Sequence, residues 1–181
     1  MLTGEKVRLR AYRKEDIALV QELINEPDIR LNLSPAIPFP YTLEDEEKWY
    51  STISATKDTY DFAIEDLETG LYLGGCGLNA VDWKNGHGTV GIFIGQEAYL
   101  GRGYGTDAMR VLVDFVFNET NLNKIRLNVF SFNERAIKSY KKCGFAVEGT
   151  LRQQVFRGGR YHDEVQMGLL RSEWAALKEK K

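Results

Sequence analysis

The segment Leu100-Gly101-Arg102-Gly103-Tyr104-Gly105-Thr106-Asp107-Ala108 sets three glycines at alternate positions between a short apolar run and a strongly patterned helix. The run before it, Thr89-Val90-Gly91-Ile92-Phe93-Ile94, reads as a buried strand. After it, Ala108, Met109, Leu112, Val113, Val116 and Phe117 recur at helical spacing, with Asp107 and Asp114 off that stripe. Strand, glycine-rich loop and helix in that order form a cradle for an anion. Glycine lets the backbone approach a ligand and take positive φ, while the open N–H groups and dipole of the helix start attract negative charge. The structural alternative is a tight turn that permits close helix packing.

Two better-known phosphate motifs fail here. Residues 103–108 match G-x-G-x-x-A, but a dinucleotide fold requires an acid about 20 residues later at the tip of the next strand. The next strand, residues 124–130, ends in Ser131-Phe132-Asn133. No Gly-Lys-Ser/Thr follows the glycines, which excludes a P-loop. A pyrophosphate held by backbone N–H groups fits best.

A second motif follows that strand. Asn133-Glu134-Arg135-Ala136-Ile137-Lys138-Ser139-Tyr140-Lys141-Lys142-Cys143-Gly144-Phe145 reads as a helix with Asn133 as N-cap, Glu134 in the first turn, lysines in the last and Gly144 as the stop. Together the two motifs resemble the GNAT superfamily of acyl-CoA-dependent N-acetyltransferases. The glycine loop is similar to its pyrophosphate loop Q/R-x-x-G-x-G/A, and the helix to its N-E-x-A-x-x-x-Y-x-K-x-G-F pattern. Residues 6–10 and 13–16 resemble the family's opening strand and first helix. The tail, with Glu148-Gly149-Thr150-Leu151-Arg152, Gly158-Gly159, Asp163 and Ser172-Glu173-Trp174, is similar to the branch of ribosomal-protein N-terminal and spermidine acetyltransferases.

The resemblance implies one GNAT domain over residues 1–181, with a mixed α/β fold: a largely antiparallel sheet, a splayed parallel strand pair and helices on both faces. It implies acetyl-CoA as cosubstrate and no metal. Cofactor contacts would come from Ile92, Phe93 and Ile94 on the first splayed strand, from Leu100, Gly101, Arg102, Gly103, Tyr104, Gly105 and Thr106 in the loop, and from Asn133, Arg135, Ala136 and Lys142 on the second helix. Tyr140 matches the family's general acid; its phenol, with an ordinary pKa near 10, can protonate a thiolate. The same tyrosine shares a helix face with Ala136 and Ile137 and could instead be core. A backbone N–H between residues 92 and 94 would polarise the thioester carbonyl.

Two departures from the family stand out. Leu100 occupies the head of the loop where many members carry Gln or Arg, and Thr89 stands where relatives often carry a glutamate proposed as base. Glu148, His87 and Asp82 are the remaining base candidates. Cys143 as an acyl carrier has no neighbouring histidine in sequence to recommend it, so direct attack in a ternary complex is preferred.

The resemblance implies a primary amine as acceptor, its identity open among polyamine, protein N-terminus, amino sugar and aminoglycoside. Glu46, Glu47 and Trp49, within Glu44-Asp45-Glu46-Glu47-Lys48-Trp49-Tyr50, could bind an ammonium-rich amine. The same acids in a first helical turn would stabilise the dipole while the aromatics pack inward. A non-catalytic CoA-binding regulatory domain is the alternative function.

At 181 residues and 43% apolar content the chain can build one substantial core. A net charge of −2 argues against nucleic acid. Lys138, Lys141 and Lys142, about a turn apart, suit a phosphate-rich ligand or the helix dipole. The apolar runs are too short for a membrane helix and no secretory signal opens the sequence, so the expected location is cytoplasmic. Two cysteines and two histidines suggest neither disulfides nor zinc. A homo-oligomer is left open. The expected elements are a strand at 6–11, a helix at 14–25, a proline loop through Pro35, Pro38 and Pro40, and a helix at 43–57 capped by Thr42. A meander over 61–65, 71–81 and 87–94 follows, then the two motif units and a hairpin turning at Gly158-Gly159.

Overall fold

The computed structural model describes residues 2–53, 55 and 57–179. Among these residues seven strands form one sheet in the order β1-β2-β3-β4-β5-β7-β6. These are β1 (Val7–Arg10), β2 (Tyr60–Asp66), β3 (Tyr72–Asp82), β4 (His87–Ile94), β5 (Lys124–Phe130), β6 (Ala146–Arg157) and β7 (Arg160–Leu170). All neighbours are antiparallel except β4 and β5. That parallel pair holds register only at His87↔Lys124, Gly88↔Ile125 and Thr89↔Arg126. Beyond Thr89 the two strands diverge, while β4 stays paired to β3 as far as Ile94↔Gly74.

Strand alternation sorts the core into two layers. On one face Ile64, Leu73, Val90, Leu127, Val129, Met167 and Leu169 pack with the stripe of α4 (Tyr104–Glu119) and with Tyr140 of α5 (Glu134–Lys142). On the other, Ala63 and Tyr72 meet Val20, Leu23 and Ile24 of α1 (Ile17–Asn25), with Phe93 and Tyr12 beside them. Helices therefore cover both faces, as the resemblance implied.

Most elements lie where the sequence puts them, with informative differences. Residues 14–16 form a 3-10 turn ahead of α1. Pro27 opens an unforeseen α2 (Pro27–Leu33), its missing N–H costing nothing at a helix start. The helix read at 43–57 is α3 (Leu43–Ile53) and stops early. Asp58 then takes a positive φ of 63° and accepts a hydrogen bond from Trp83 Nε1 at 2.7 Å, whereas Ser54 and Thr56 lie outside the described residues. Thr42 does cap α3: its hydroxyl accepts from Asp45 N at 3.2 Å, and the Asp45 carboxylate accepts from Thr42 N at 2.9 Å. The last described element is α6 (Arg171–Glu179), another helix the sequence reading missed, whose Trp174 packs on Phe117 and donates to Asp114 at 2.7 Å.

Candidate active site

The divergence of β4 and β5 opens a cleft of about 780 Å³ that passes through the sheet from one helical face to the other. At one end lies the start of α4. Gly103 is its N-cap residue with φ of 91°, and Gly101 has φ of 71°, both in the left-handed region that favours glycine. The first bond of the helix runs from Asp107 N to Gly103 O at 2.9 Å, so the amides ahead of it have no intrahelical acceptor and meet the cleft. Gly105 differs from the other two. It lies inside the helix without positive φ, and a Cβ there would make only ordinary contact with Ile94 Cγ1 at 3.4 Å. Asp107 is structural: its buried carboxylate accepts from the backbone N of Glu5, Lys6 and Val7 at 3.2, 2.8 and 3.1 Å, anchoring the chain's start to α4.

The N-terminus of α5 closes the same end. Asn133 Oδ1 accepts from Ala136 N at 3.1 Å, and Thr106 and Ser139 hydroxyls lie 2.8 Å apart, joining α4 to α5. Tyr140 is 8% exposed and lines the cleft, its ring packed near Phe145. No described residue hydrogen bonds to its hydroxyl. Burial pushes its pKa up to about 12, so it remains a proton donor throughout the neutral range. Cys143 donates to Thr106 O at 3.5 Å, and burial raises its thiol to about 11, which removes it as a nucleophile.

Of the cofactor residues expected from sequence, Ile92, Phe93, Ile94, Leu100, Gly101, Gly103, Gly105, Thr106, Asn133, Arg135, Ala136 and Lys142 line the cleft. Two side chains do not. Arg102 turns back to donate to Ala98 O at 3.1 Å, and the Tyr104 ring packs edge-on against Tyr99 with Lys6 above it. Among the expected acceptor residues only Trp49 reaches the cleft, edge-on to Tyr12 at 4.9 Å. Glu46 is buried away from it, where desolvation raises its carboxyl, and Glu47 is exposed at the helix start. Neither of those two acids lines the cleft. The base candidates also fall away: Glu148 pairs with Lys124 at 2.7 Å, His87 sits 3.6 Å from Asp82 in the β3–β4 hairpin, and none of the three lines the cleft.

The structure adds residues that sequence reasoning missed. Asp28, Asn32, Asp61, Asn79 and Glu164 line the cleft on the α1 face. Glu164 is 6% exposed, has no hydrogen-bond or ion-pair partner among the described residues, and has its carboxyl raised by burial. Arg157 pins this wall. Its guanidinium donates to the carbonyls of Leu31, Ser34 and Ala36, tying the end of α2 and the following loop to the β6–β7 hairpin. Charge along the cleft is thereby segregated: Arg135, Lys138 and Lys142 at the α5 end, and Asp28, Asp61 and Glu164 at the α1 end.

Residues 6–146 match the family described as acetyltransferase (GNAT) domain. The chain belongs to the GNAT acetyltransferases. It is 31% identical over 173 residues to the SPbeta prophage-derived uncharacterized N-acetyltransferase YokL of Bacillus subtilis, covering 95% of this chain and 94% of that protein. It is 28% identical to the spermidine N(1)-acetyltransferase of Escherichia coli K12, covering 97% and 92%. Among solved structures, spermidine N-acetyltransferase from Vibrio cholerae in complex with CoA and spermine superposes with a TM-score of 0.84 at 26% identity, covering 93% of this chain and 98% of that one. This GNAT chain is thus an N-acetyltransferase by family, and CoA-bound neighbours share its fold. None of its described helices is long and apolar enough to cross a membrane.

Proposed function

We propose that the protein transfers the acetyl group of acetyl-CoA to a primary amine of a polycationic acceptor, with a polyamine as the acceptor class, by direct attack in a ternary complex. The carrying observation is the charge segregation along the cleft. A basic end beside two helix N-termini suits the phosphates of CoA. An acidic, aromatic-lined end with no lysine or arginine among the described residues suits ammonium groups. The pyrophosphate rests on amides of the 101–106 loop, and pantetheine follows the open edge of β4 at residues 92–94. An N–H of that edge polarises the thioester carbonyl, and Tyr140 protonates the departing thiolate. The relatives named for spermidine acetylation support the same acceptor class.

Steady-state kinetics at rising ionic strength test the acceptor. Attraction between exposed charges is screened over about 8 Å at physiological salt, so kcat/KM for a polyamine should fall severalfold as salt is raised from well below to well above that level. A neutral peptide amine should show little change. Equal kcat/KM and equal salt response for the two would overturn the polycation reading.

A further inference from the structure

The sequence has threonine at the β4 position where relatives often carry a proposed base, and the structure engages that threonine elsewhere, since Thr89 Oγ1 accepts from Arg126 Nε at 3.1 Å. The same face of the sheet offers a substitute one strand row further on. Across β2, β3 and β4 the register sets Asp61 opposite Gly77 and Gly77 opposite Gly91. Two adjoining strands therefore carry no side chain beside one carboxylate. A Cβ at Gly77 would lie 2.8 Å from Asp61 Oδ1 and 3.1 Å from Asn79 Oδ1, and a Cβ at Gly91 would lie 2.7 Å from Asn79 Nδ2. Asp61 and Asn79 thus lean over a bare glycine floor toward the splay between β4 and β5. Asn79 takes this position because it is the extra residue of the β3 bulge, between Leu78↔Val90 and Ala80↔Thr89.

We propose that Asp61, resting over the Gly77–Gly91 floor, is the general base that takes the proton of the acceptor ammonium. The assignment rests on the acetyltransferase reading above. Asp61 is half-buried and makes no hydrogen bond or ion pair among the described residues. It lines both the main cleft and a second cavity of about 370 Å³ bounded by Trp49, Thr52, Ile53, Thr59 and Asn79. A long amine can therefore enter past Asp61 and leave its remaining chain in the second cavity. The groups facing the carboxylate are Tyr12 from the segment after β1, Trp49 from α3 and Asn79 from β3, with Asp28 and Glu164 across the same cleft, while Cys76 lies on the opposite face of β3. Tyr12 is held neutral by burial, and no cation stands against Asp61 among the described residues. Its carboxyl is accordingly raised by desolvation, toward the range in which a base works near neutral pH.

The proton balance is explicit. Asp61 accepts one proton from R-NH3⁺. The nitrogen lone pair forms the C–N bond at the thioester carbonyl carbon, the C–S bond breaks, and sulfur takes the Tyr140 proton. The second nitrogen proton returns through water to Tyr140, and Asp61 releases its proton to solvent. The products are the N-acetyl amide, CoA thiol and one proton.

The test compares Asp61→Asn with Glu164→Gln, both near-isosteric, in pH profiles of kcat and kcat/KM with a polyamine and acetyl-CoA. Asp61→Asn should lower kcat by roughly 10²- to 10⁴-fold, the range of a lost general base, with the acetyl-CoA KM within about threefold. Its profile should lose the neutral plateau and climb with pH until the free amine dominates. Glu164→Gln should keep the plateau. If Asp61→Asn raised only the amine KM, the residue would bind ammonium and the base assignment would be overturned. It would also be overturned if the plateau vanished in Glu164→Gln and survived in Asp61→Asn. Wild-type protein that released no thiol with any amine would defeat the acetyltransferase reading itself, a result distinguishable from both.

Discussion

Replacing Tyr140 by Phe separates the catalytic from the packing role of this residue. The ring is 8% exposed and packs with Phe145, whereas its hydroxyl has no hydrogen-bond partner among the described residues. Deleting an oxygen without such a partner leaves no orphaned group behind. The change in folding free energy should stay within about 1 kcal/mol, or roughly 2–4 °C in Tm for a chain of this size. Catalysis should respond quite differently. Loss of a general acid costs about 10²- to 10⁴-fold in kcat, which is about 2.7–5.4 kcal/mol at about 1.36 kcal/mol per decade. The acetyl-CoA KM should move by no more than a few-fold, because the phenol acts on the leaving group. A thermal melt and free-thiol release at saturating acetyl-CoA give both numbers from one preparation. Burial sets a further condition, since a pKa of about 12 keeps the donor protonated and wild-type kcat should show no fall from this group anywhere in the neutral or mildly alkaline range. A variant with wild-type kcat, or one that unfolds many degrees earlier, would return Tyr140 to the core.

Two further substitutions probe the cradle and the acceptor wall. Gly103→Val forces a β-branched residue to φ of 91° and should cost about 1–3 kcal/mol and raise the acetyl-CoA KM. Gly105→Ala, with only a 3.4 Å contact to Ile94, should fold normally; an equal loss of stability in both would refute the distinction, read by thermal melts. Arg157→Met removes donors to Leu31, Ser34 and Ala36 carbonyls and should cost about 1–3 kcal/mol while raising the amine KM more than the acetyl-CoA KM; an unchanged ratio of the two would contradict its role in holding α2.

What could be read from sequence was local. The 100–108 loop, the α5 motif, the Thr42 cap and the Gly158-Gly159 turn each occupy a short stretch whose chemistry dictates its backbone. The acceptor wall could not be read that way. Asp61 is one acid at the start of a strand, and only the pairing to Gly77 and Gly91 shows that it overlooks the cleft. Glu164 alternates with Val165 like any surface residue of a strand, yet the neighbours on both sides and the cleft above bury it. Arg157 acts on carbonyls more than a hundred positions away. Conversely the conspicuous acids at 44–47 attracted attention as a cluster, yet Glu44, Asp45 and Glu46 lie in the first turn of α3 and Asp45 takes part in its cap, with none of the four lining the cleft. The glycines of Gly74-Gly75-Cys76-Gly77, inside β3, offered a signal that sequence reading left unused, since a strand interior without side chains marks a close approach.

The most direct test follows acetyl-CoA and a polyamine together, counting thiol released against acetylated amine formed. Thiol should be released only when both substrates are present, with one N-acetyl group per thiol and no acetyl left on the protein when the amine is withheld. Tight CoA binding without thiol release on any cationic amine would contradict the proposed transfer and make the cleft a sensor.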